Sequence, residues 1–557
     1  MENKAIAKQI KLFAQLLELH GENSFRTRAV ANAAFTIDKL PFKIVEKTTA
    51  EIESIKGIGK SLASKIEELK TNGFITELKN LIENTPPGVI EMLSLKGLGP
   101  KKIEIIWKNL NIKNLGELYY ACNENRLIEA KGFGLKTQQE ILKLIEFKMA
   151  SNGKFLFAQA QPIALQLFEK ISIWLNQFKA GALLGIAGEY RRAFEIINVL
   201  NFIIGAEDDL VIESELSKLF DSELTYSTEK GYQSITPEGL KFYIIIVNKD
   251  NFYKKYFELT GSEEHVSSVL KLTNKETFNS EEEIYESAGL AFIEPELREN
   301  LGEIELSKSG KLPELITFKE IKGALHNHST WSDGVHTLNE MAIYCKDSLK
   351  LEYLGISDHS KSAFYARGLT EQQIVDQHLE IDLINATLSP FKIFKGIESD
   401  ILYDGSLDYS DDVLKSFDFV VASVHSNLKM NEEKATERLI KAIENPYTTI
   451  LGHPTGRLLL SRTGYPIDFK KVIDACAANR VVIEINANPL RLDLDWRWHR
   501  YALEKGVILS INPDAHRNEG FMDMQYGIHV ARKGGLTSKN CLNCMNLSEI
   551  TEFFKSK

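Results

Sequence analysis

Ten of the chain's twelve histidines lie after residue 320, and most of them close a short apolar run. ALHNHST carries His326 and His328, and YLGISDHS carries Asp358 and His359. FKIFKGIESD carries Glu398, DFVVASVHS carries His425, and TTILGHP carries His453. RVVIEINAN carries Glu484, and VILSINPDAH carries Asp514 and His516. Imidazoles mixed with carboxylates suit Mn2+, Zn2+ or Fe2+ better than a pure oxygen cage does. An apolar run ending in a metal-type ligand, seven times over, is the pattern of a parallel barrel that gathers a metal site at its strand C-termini. His20, His265, His378, His499 and His529 do not share this placement, so no metal role is expected of them, and His336 is expected to face solvent.

The elements that must position these groups occupy a chain of 557 residues, long enough for several domains. Apolar residues make up 43% and charged residues 26%, an ordinary globular composition. No apolar stretch reaches membrane-spanning length, and MENKAIAKQI does not read as a signal peptide. The five cysteines are scattered and odd in number, which argues for a reducing, cytoplasmic setting. Cys541 and Cys544 form a CxxC with no second pair nearby, read as chance. Net charge is −10, yet residues 1–150 carry +5 and the remainder −15. That asymmetry suits a protein that docks DNA with its front and cuts it with its back.

The first 150 residues read as helices joined by three similar turns. These are Ile55-Lys56-Gly57-Ile58-Gly59, Leu95-Lys96-Gly97-Leu98-Gly99 and Ala130-Lys131-Gly132-Phe133-Gly134. Paired glycines let backbone approach a phosphate, and the following helix N-terminus aims N–H groups at it. The apolar residue between them should plug the two helices together. Residues 151–315 mix helices with strands such as LNFIIGAE and LKFYIIIVN, and the segment around Pro313 reads as a linker.

The three turns resemble helix-hairpin-helix modules, which grip DNA backbone without reading sequence. With Gly188-Glu189-Tyr190-Arg191-Arg192 and Leu259-Thr260-Gly261-Ser262, the chain resembles a bacterial family X DNA polymerase. The resemblance implies two helix-hairpin-helix domains (1–80, lyase-like, and 81–150, fingers-like), an α+β palm (151–255) and a thumb (256–315). It also implies an Asp-x-Asp pair and a third aspartate that hold two Mg2+ ions. Counting from the motifs, those positions fall on Val199, Asn201 and Tyr243. Glu189, Ala193 and Val266 replace three further expected residues, and Asp208 and Asp209 lie beyond the strand that should carry the pair. Val and Tyr offer no anionic oxygen, so the palm is expected to be inactive in nucleotidyl transfer. Glu22-Asn23-Ser24-Phe25-Arg26 resembles the family's N-terminal helix. Lys65 matches the position of a Schiff-base lysine in some members, although the surrounding LASKIEELK favours a solvated helix-face lysine.

Residues 320–557 resemble the PHP domain, the polymerase and histidinol phosphatase superfamily, and so imply a distorted (β/α)7 barrel. The family's nine ligands map onto His326, His328, Asp333, His359, Glu398, His425, His453, Asp514 and His516 without substitution. Nine ligands exceed one tetrahedral ion and imply two or three, Mn2+ or Zn2+ with Fe2+ as a further candidate. Metal-bound hydroxide is then the expected catalyst, with no side chain needed beyond it. Arg457, Arg462, Arg491 and Arg517 are candidates for phosphate contact, Lys361 and Arg367 for a mobile lid, and Asn427 and Asn486 for orienting water. The expected activity is a metal-dependent 3'-5' exonuclease or 3'-end-processing enzyme of DNA repair. It would be a monomer without membrane contact, acting on gapped, nicked or 3'-recessed DNA. The alternatives are a small-molecule phosphatase, a DNA-binding repair scaffold and, last, a working polymerase with displaced ligands.

Overall fold

A computed structural model describes residues 3–40, 42–95, 97–128, 130–150, 153–178, 181–207, 216, 219–220, 224–227 and 231–557. Lys96, Asp208 and Asp209 lie outside these residues. The chain divides into two compact units, Met1–Glu146 and Phe147–Lys557.

The first unit is helical. Helix Asn3–Leu19 buries Ile6, Ile10, Phe13 and Leu17, a stripe at helical spacing. Asn23 caps the next helix, Ser24–Asp38, by accepting from Phe25 N at 2.8 Å. The three glycine turns share one geometry. Gly57, Gly97 and Gly132 all have positive φ, at 96°, 85° and 91°, a conformation that disfavours any side chain. Ile58, Leu98 and Phe133 are buried, as the plug reading requires. Gly59 and Gly99 then stand at the N-caps of helices Lys60–Asn72 and Pro100–Glu104.

In the second unit, five strands form one sheet. They are β1 (Leu183–Ala187), β2 (Val199–Ala206), β3 (Thr225–Ser227), β4 (Gly231–Ile235) and β5 (Lys241–Asn248), in the order β1-β2-β5-β4-β3. Helix Phe157–Phe178 packs on it through Ala160, Ala164, Ile171 and Trp174 against Phe202 and Phe242. Strands β2 and β5 run parallel, with Asn201 opposite Tyr243 and Val199 opposite Lys241. The three positions counted from two separate motifs are therefore neighbours. A second cluster around Phe257, Ile284, Tyr285 and Ile293 joins the short helices between residues 252 and 308.

The rest of the second unit is a seven-stranded, all-parallel barrel. Its strands are β6 (Gly323–Ala324), β7 (Tyr353–Ile356), β8 (Lys392–Asp400), β9 (Phe419–Ser423), β10 (Ile450–Leu451), β11 (Val482–Asn486) and β12 (Leu509–Asn512), paired in chain order. Every residue of β7, β9, β11 and β12 is buried, which explains runs that are apolar throughout rather than alternating. Beyond the strands, Asn327 bridges Ala515 in parallel and His328 N donates to Ala515 O at 2.9 Å, which brings the first and last strands together. At the strand N-termini, helix Leu547–Ser556 seats Phe554 against Phe419 and Phe394, with ring centroids 5.2 and 5.1 Å apart. No helix among the described residues is long and apolar enough to cross a membrane.

Candidate metal centre

Each barrel strand hands its chemistry to the residues at or just past its C-terminus. His326, His328 and Asp333 follow β6, and His359 follows β7. Glu398 lies inside β8, two residues from its end; His425, His453 and the pair Asp514 and His516 follow β9, β10 and β12. The backbone bends sharply to present three of them, since His326, His453 and Asp514 have φ of 59°, 22° and 53°. Such residues persist in the left-handed region only where the surroundings over-determine them.

The nine side chains meet. Glu398 is central, with Oε1 3.1 Å from His326 Nε2, 3.1 Å from His453 Nε2 and 3.2 Å from His425 Nε2. Its Oε2 is 2.9 Å from His359 Nδ1. Asp514 Oδ1 stands 3.1 Å from His328 Nε2, and Asp333 Oδ1 stands 3.4 Å from His516 Nε2 and 3.6 Å from His359 Nε2. Their ligand atoms form overlapping groups, each within 4.8 Å: His328, Asp333, His359 and His516; His326, His328 and Asp514; His326, Glu398 and His453; His359, Glu398 and His425.

The electrostatics fit cations. His326 Nε2, His328 Nδ1, both ring nitrogens of His359, Glu398 Oε2 and His453 Nδ1 are buried without a well-aligned hydrogen bond among the described residues. Each such atom costs about 1–3 kcal/mol unless something binds it. Burial opposes charge on Glu398, but the imidazoles of His425, His326 and His359 hold its carboxyl well below the usual range. Burial likewise opposes charge on Asp514, yet His326, His328 and His516 keep it low. Burial disfavours an imidazolium at His326, and the carboxylates of Glu484, Glu398 and Asp514 overcome that and raise it. His328 goes the other way, pushed down to about 4 by burial and by His516 and His359.

Two further carboxylates hold ligands in place. Glu484 Oε2 is 2.6 Å from His326 Nδ1, and Glu484 also accepts from His453 N, Asn486 Nδ2 and Asn512 Nδ2 at 3.0, 2.9 and 2.9 Å. Asp400 Oδ1 is 2.5 Å from His425 Nδ1. A carboxylate on one ring nitrogen fixes the tautomer and turns the other nitrogen toward the centre. Sequence reading noted Glu484 as a strand-end ligand type but missed its holding role, and missed Asp400 altogether. The available signal was position: Asp400 lies two residues from Glu398 and therefore on the same face of β8. Asp358 accepts from Ser329, Ser332 and Gln377 and thus pins the turn before Asp333.

Other candidates from the sequence sit as follows. Arg457 is committed to protein groups: Nε donates to Arg491 O at 2.9 Å, Nη1 to Asp495 Oδ2 at 2.6 Å, and Nη2 to Leu492 O. Arg462 donates to Gly456 O at 2.9 Å, Arg491 is buried 3.9 Å from Asp514, and Arg517 is exposed. Asn486 Nδ2 donates to Glu484 and to Asp514, so it orients ligands; Asn427 is exposed. The segment read as a lid makes several hydrogen bonds to its surroundings. Lys361 N donates to the Tyr409 hydroxyl, Ser362 Oγ to Asp400, and Leu369 N to His359 O, while Arg367 is exposed. His336 does not face solvent freely; it is half-buried and accepts from Asn518 N at 3.3 Å. Lys65 is not a solvated helix-face lysine either. Its Nζ lies 2.5 Å from Glu77 Oε2, whose other oxygen takes Arg26. His265 is fully buried between Glu303 and Tyr285, away from the centre.

Comparison with known proteins fits this architecture. Residues 1–74 match the helix-hairpin-helix domain family, and residues 89–145 match the SAM-like helix-hairpin-helix tandem family. The Bacillus subtilis (strain 168) protein named DNA polymerase/3'-5' exonuclease PolX is 34% identical over 580 aligned positions, covering all of both chains. The chain belongs to the bacterial family X DNA polymerases with a C-terminal PHP domain. Relatives named "Probable phosphatase" match its C-terminal part. The one from Thermoanaerobacter sp. (strain X514) is 31% identical over 176 residues, 30% of this chain and 69% of its own. The one from Vibrio atlanticus (strain LGP32) is 28% identical over 211 residues, 35% of this chain and 79% of its own. Asn201 lies against the Gly188 turn, Lys241 Nζ sits 5.0 Å over the Tyr243 ring, and Glu189 accepts from Asn198.

Proposed function

We propose that this chain is a metal-dependent DNA phosphodiesterase that shortens or cleans 3' ends during repair, and that its palm does not transfer nucleotides. The observation that carries the reading is the convergence of all nine ligand residues into overlapping groups at one barrel mouth. His328, Asp333, His359 and His516 would hold one ion. His326, Glu398, Asp514 and His453 would hold a second, and His425 with His359 and the shared Glu398 a third. Mn2+ or Zn2+ suits this donor set, with Fe2+ next. Ions held there would supply Lewis acidity toward a phosphate and a nucleophile at neutral pH.

The chain's own groups do the rest. Glu484 and Asp400 keep His326 and His425 in the tautomer that points inward. Exposed Arg517, next to His516, would meet a phosphate oxygen at the mouth. Backbone N–H groups behind Gly57, Gly97 and Gly132 grip DNA phosphates. In the palm, Val199, Asn201 and Tyr243 leave no carboxylate pair to hold Mg2+, although the strands that should present one are intact. A phosphatase acting on small molecules would have no use for the helix-hairpin-helix segments, which match over residues 1–74 and 89–145. The test uses 5'-labelled duplex, gapped and 3'-recessed DNA with a series of divalent metals, with and without dNTPs. The expected result is metal-dependent shortening without extension. Extension beyond the primer would overturn the palm reading, and hydrolysis of phosphomonoesters alone would overturn the nuclease reading.

A further inference from the structure

The turn Gly188–Asn198 is where a working family X palm would receive a triphosphate, yet here its charged groups are engaged by protein. Glu189 accepts from Asn198 N and Nδ2 at 2.9 and 3.0 Å. Arg191 donates to Thr260 Oγ1 at 3.0 Å and pairs with Glu281. Arg192 donates to Thr260 O at 2.7 Å and pairs with Glu299 at 2.9 Å. The last of these groups, Glu195, is buried and reaches into the barrel domain. Its Oε2 accepts from Trp496 Nε1 and its Oε1 from Arg497 Nη1, both at 3.2 Å. Lys533, on the barrel helix Met524–Lys533, closes the same knot. Its side chain is fully buried, 4.0 Å over the Phe194 ring and 4.5 Å over the Trp496 ring, and it pairs with Glu299.

From Trp496 and Arg497 a continuous set of bonds runs to the metal centre. Arg497 donates to Asp495 Oδ1 at 3.0 Å, and Asp495 Oδ2 accepts from Arg457 at 2.6 Å. Arg457 also clamps the carbonyls of Arg491 and Leu492. In the loop so held, Asp493 Oδ2 accepts from Thr455 N and Oγ1 at 2.9 and 3.0 Å. Thr455 is two residues from His453, whose φ of 22° must be enforced by its neighbours. The palm is thus bonded, through one loop, to a residue that stands 3.1 Å from Glu398.

We propose that the palm turn is a strut for the barrel, and that Glu195 is a positioning residue for the His453 loop, acting through Trp496, Arg497, Asp495 and Arg457. This rests on the reading of the barrel mouth as a metal centre. A palm serving in this way has a reason to keep its fold after its carboxylates are gone.

The test compares full-length wild type with Glu195→Ala, Glu195→Gln and Trp496→Phe. Mn2+ binding is followed by electron paramagnetic resonance of the free ion, and backbone hydrogen exchange is followed over residues 453–462. Loss of a supporting shell around a metal ligand weakens binding by about tenfold or more. Glu195→Ala is therefore expected to weaken one Mn2+ site about tenfold and to speed exchange in 453–462. Glu195→Gln, which keeps an oxygen for Trp496 Nε1, should rescue most of both. Trp496→Phe removes that donor and part of the indole packing but leaves the Arg497 pair in place, so it should speed exchange in the same direction by less than Glu195→Ala, and it carries the test if that variant does not fold. Wild-type exchange and wild-type Mn2+ affinity in both variants would overturn the strut. Failure of the wild type itself to bind Mn2+ would defeat the metal reading instead, with exchange still deciding on the strut.

Discussion

The five-stranded sheet and the barrel mouth each bring residues of neighbouring strands together, but residues of different chemistry. In the sheet the counted positions adjoin, since Asn201 faces Tyr243 across β2 and β5. Val199, Asn201 and Tyr243 supply no carboxylate there. At the barrel mouth the strands converge on acids and imidazoles, and Glu398 lies within 3.2 Å of a nitrogen on each of four imidazoles. The two regions share an apolar core beneath paired strands and differ in the residue types those strands present. Phe202 and Phe242 pack the core of that sheet, where Tyr243 is itself buried and Val199 and Asn201 are half-buried.

The contrast can be broken most directly at the mouth. His326→Ala with His328→Ala removes ligands from three of the four groups at the mouth and leaves His359–Glu398–His425. Nuclease activity on 3'-recessed DNA should fall on the order of 10³-fold, since several kcal/mol of charge stabilisation are lost, while DNA binding measured by anisotropy stays unchanged. Persistent cleavage by a carefully purified double variant would sink the assignment. Chelation should have a similar effect on activity, and added Mn2+ should restore it. Glu484→Gln keeps the size but weakens the acceptor on His326 Nδ1, so Mn2+ affinity should drop about 10–100-fold with the fold intact by circular dichroism. Gly132→Ala meets no neighbour within 4 Å but must adopt φ near 91°. It should cost about 1–2 kcal/mol in thermal unfolding of the first unit and weaken DNA binding without changing kcat. The smallest effect belongs to the palm: Val199→Ala should leave 3'-end shortening within about twofold, because Val199 holds nothing reactive. A large loss there would mean that the palm contributes to the chemistry after all.

Much of this was legible in the chain. Apolar runs fixed seven parallel strands because each is buried on both faces, and the ligand types at their ends marked the mouth. The plugs Ile58, Leu98 and Phe133 followed from their place between paired glycines. Roles that depend on partners far away in sequence were hidden. His326 and Glu484 are 158 positions apart and meet only because the barrel closes. Arg457 has the type and location of a phosphate ligand, and only its three bonds to the 491–495 loop show that it serves as a clamp. Lys65 reads as a surface lysine until Glu77 folds against it.

By itself the sequence determined which residue types are available at each strand end, and hence where acids and imidazoles gather in the barrel and where Val199, Asn201 and Tyr243 stand instead. The tertiary structure decided which atoms face one another: that Glu398 sits among four imidazoles, that Glu484 and Asp400 hold two of them, and that Glu195 ties the palm to the loop beside His453. Residue type and local periodicity are properties of the chain, whereas hydrogen-bond partnership is set by closure of the barrel and by packing between domains.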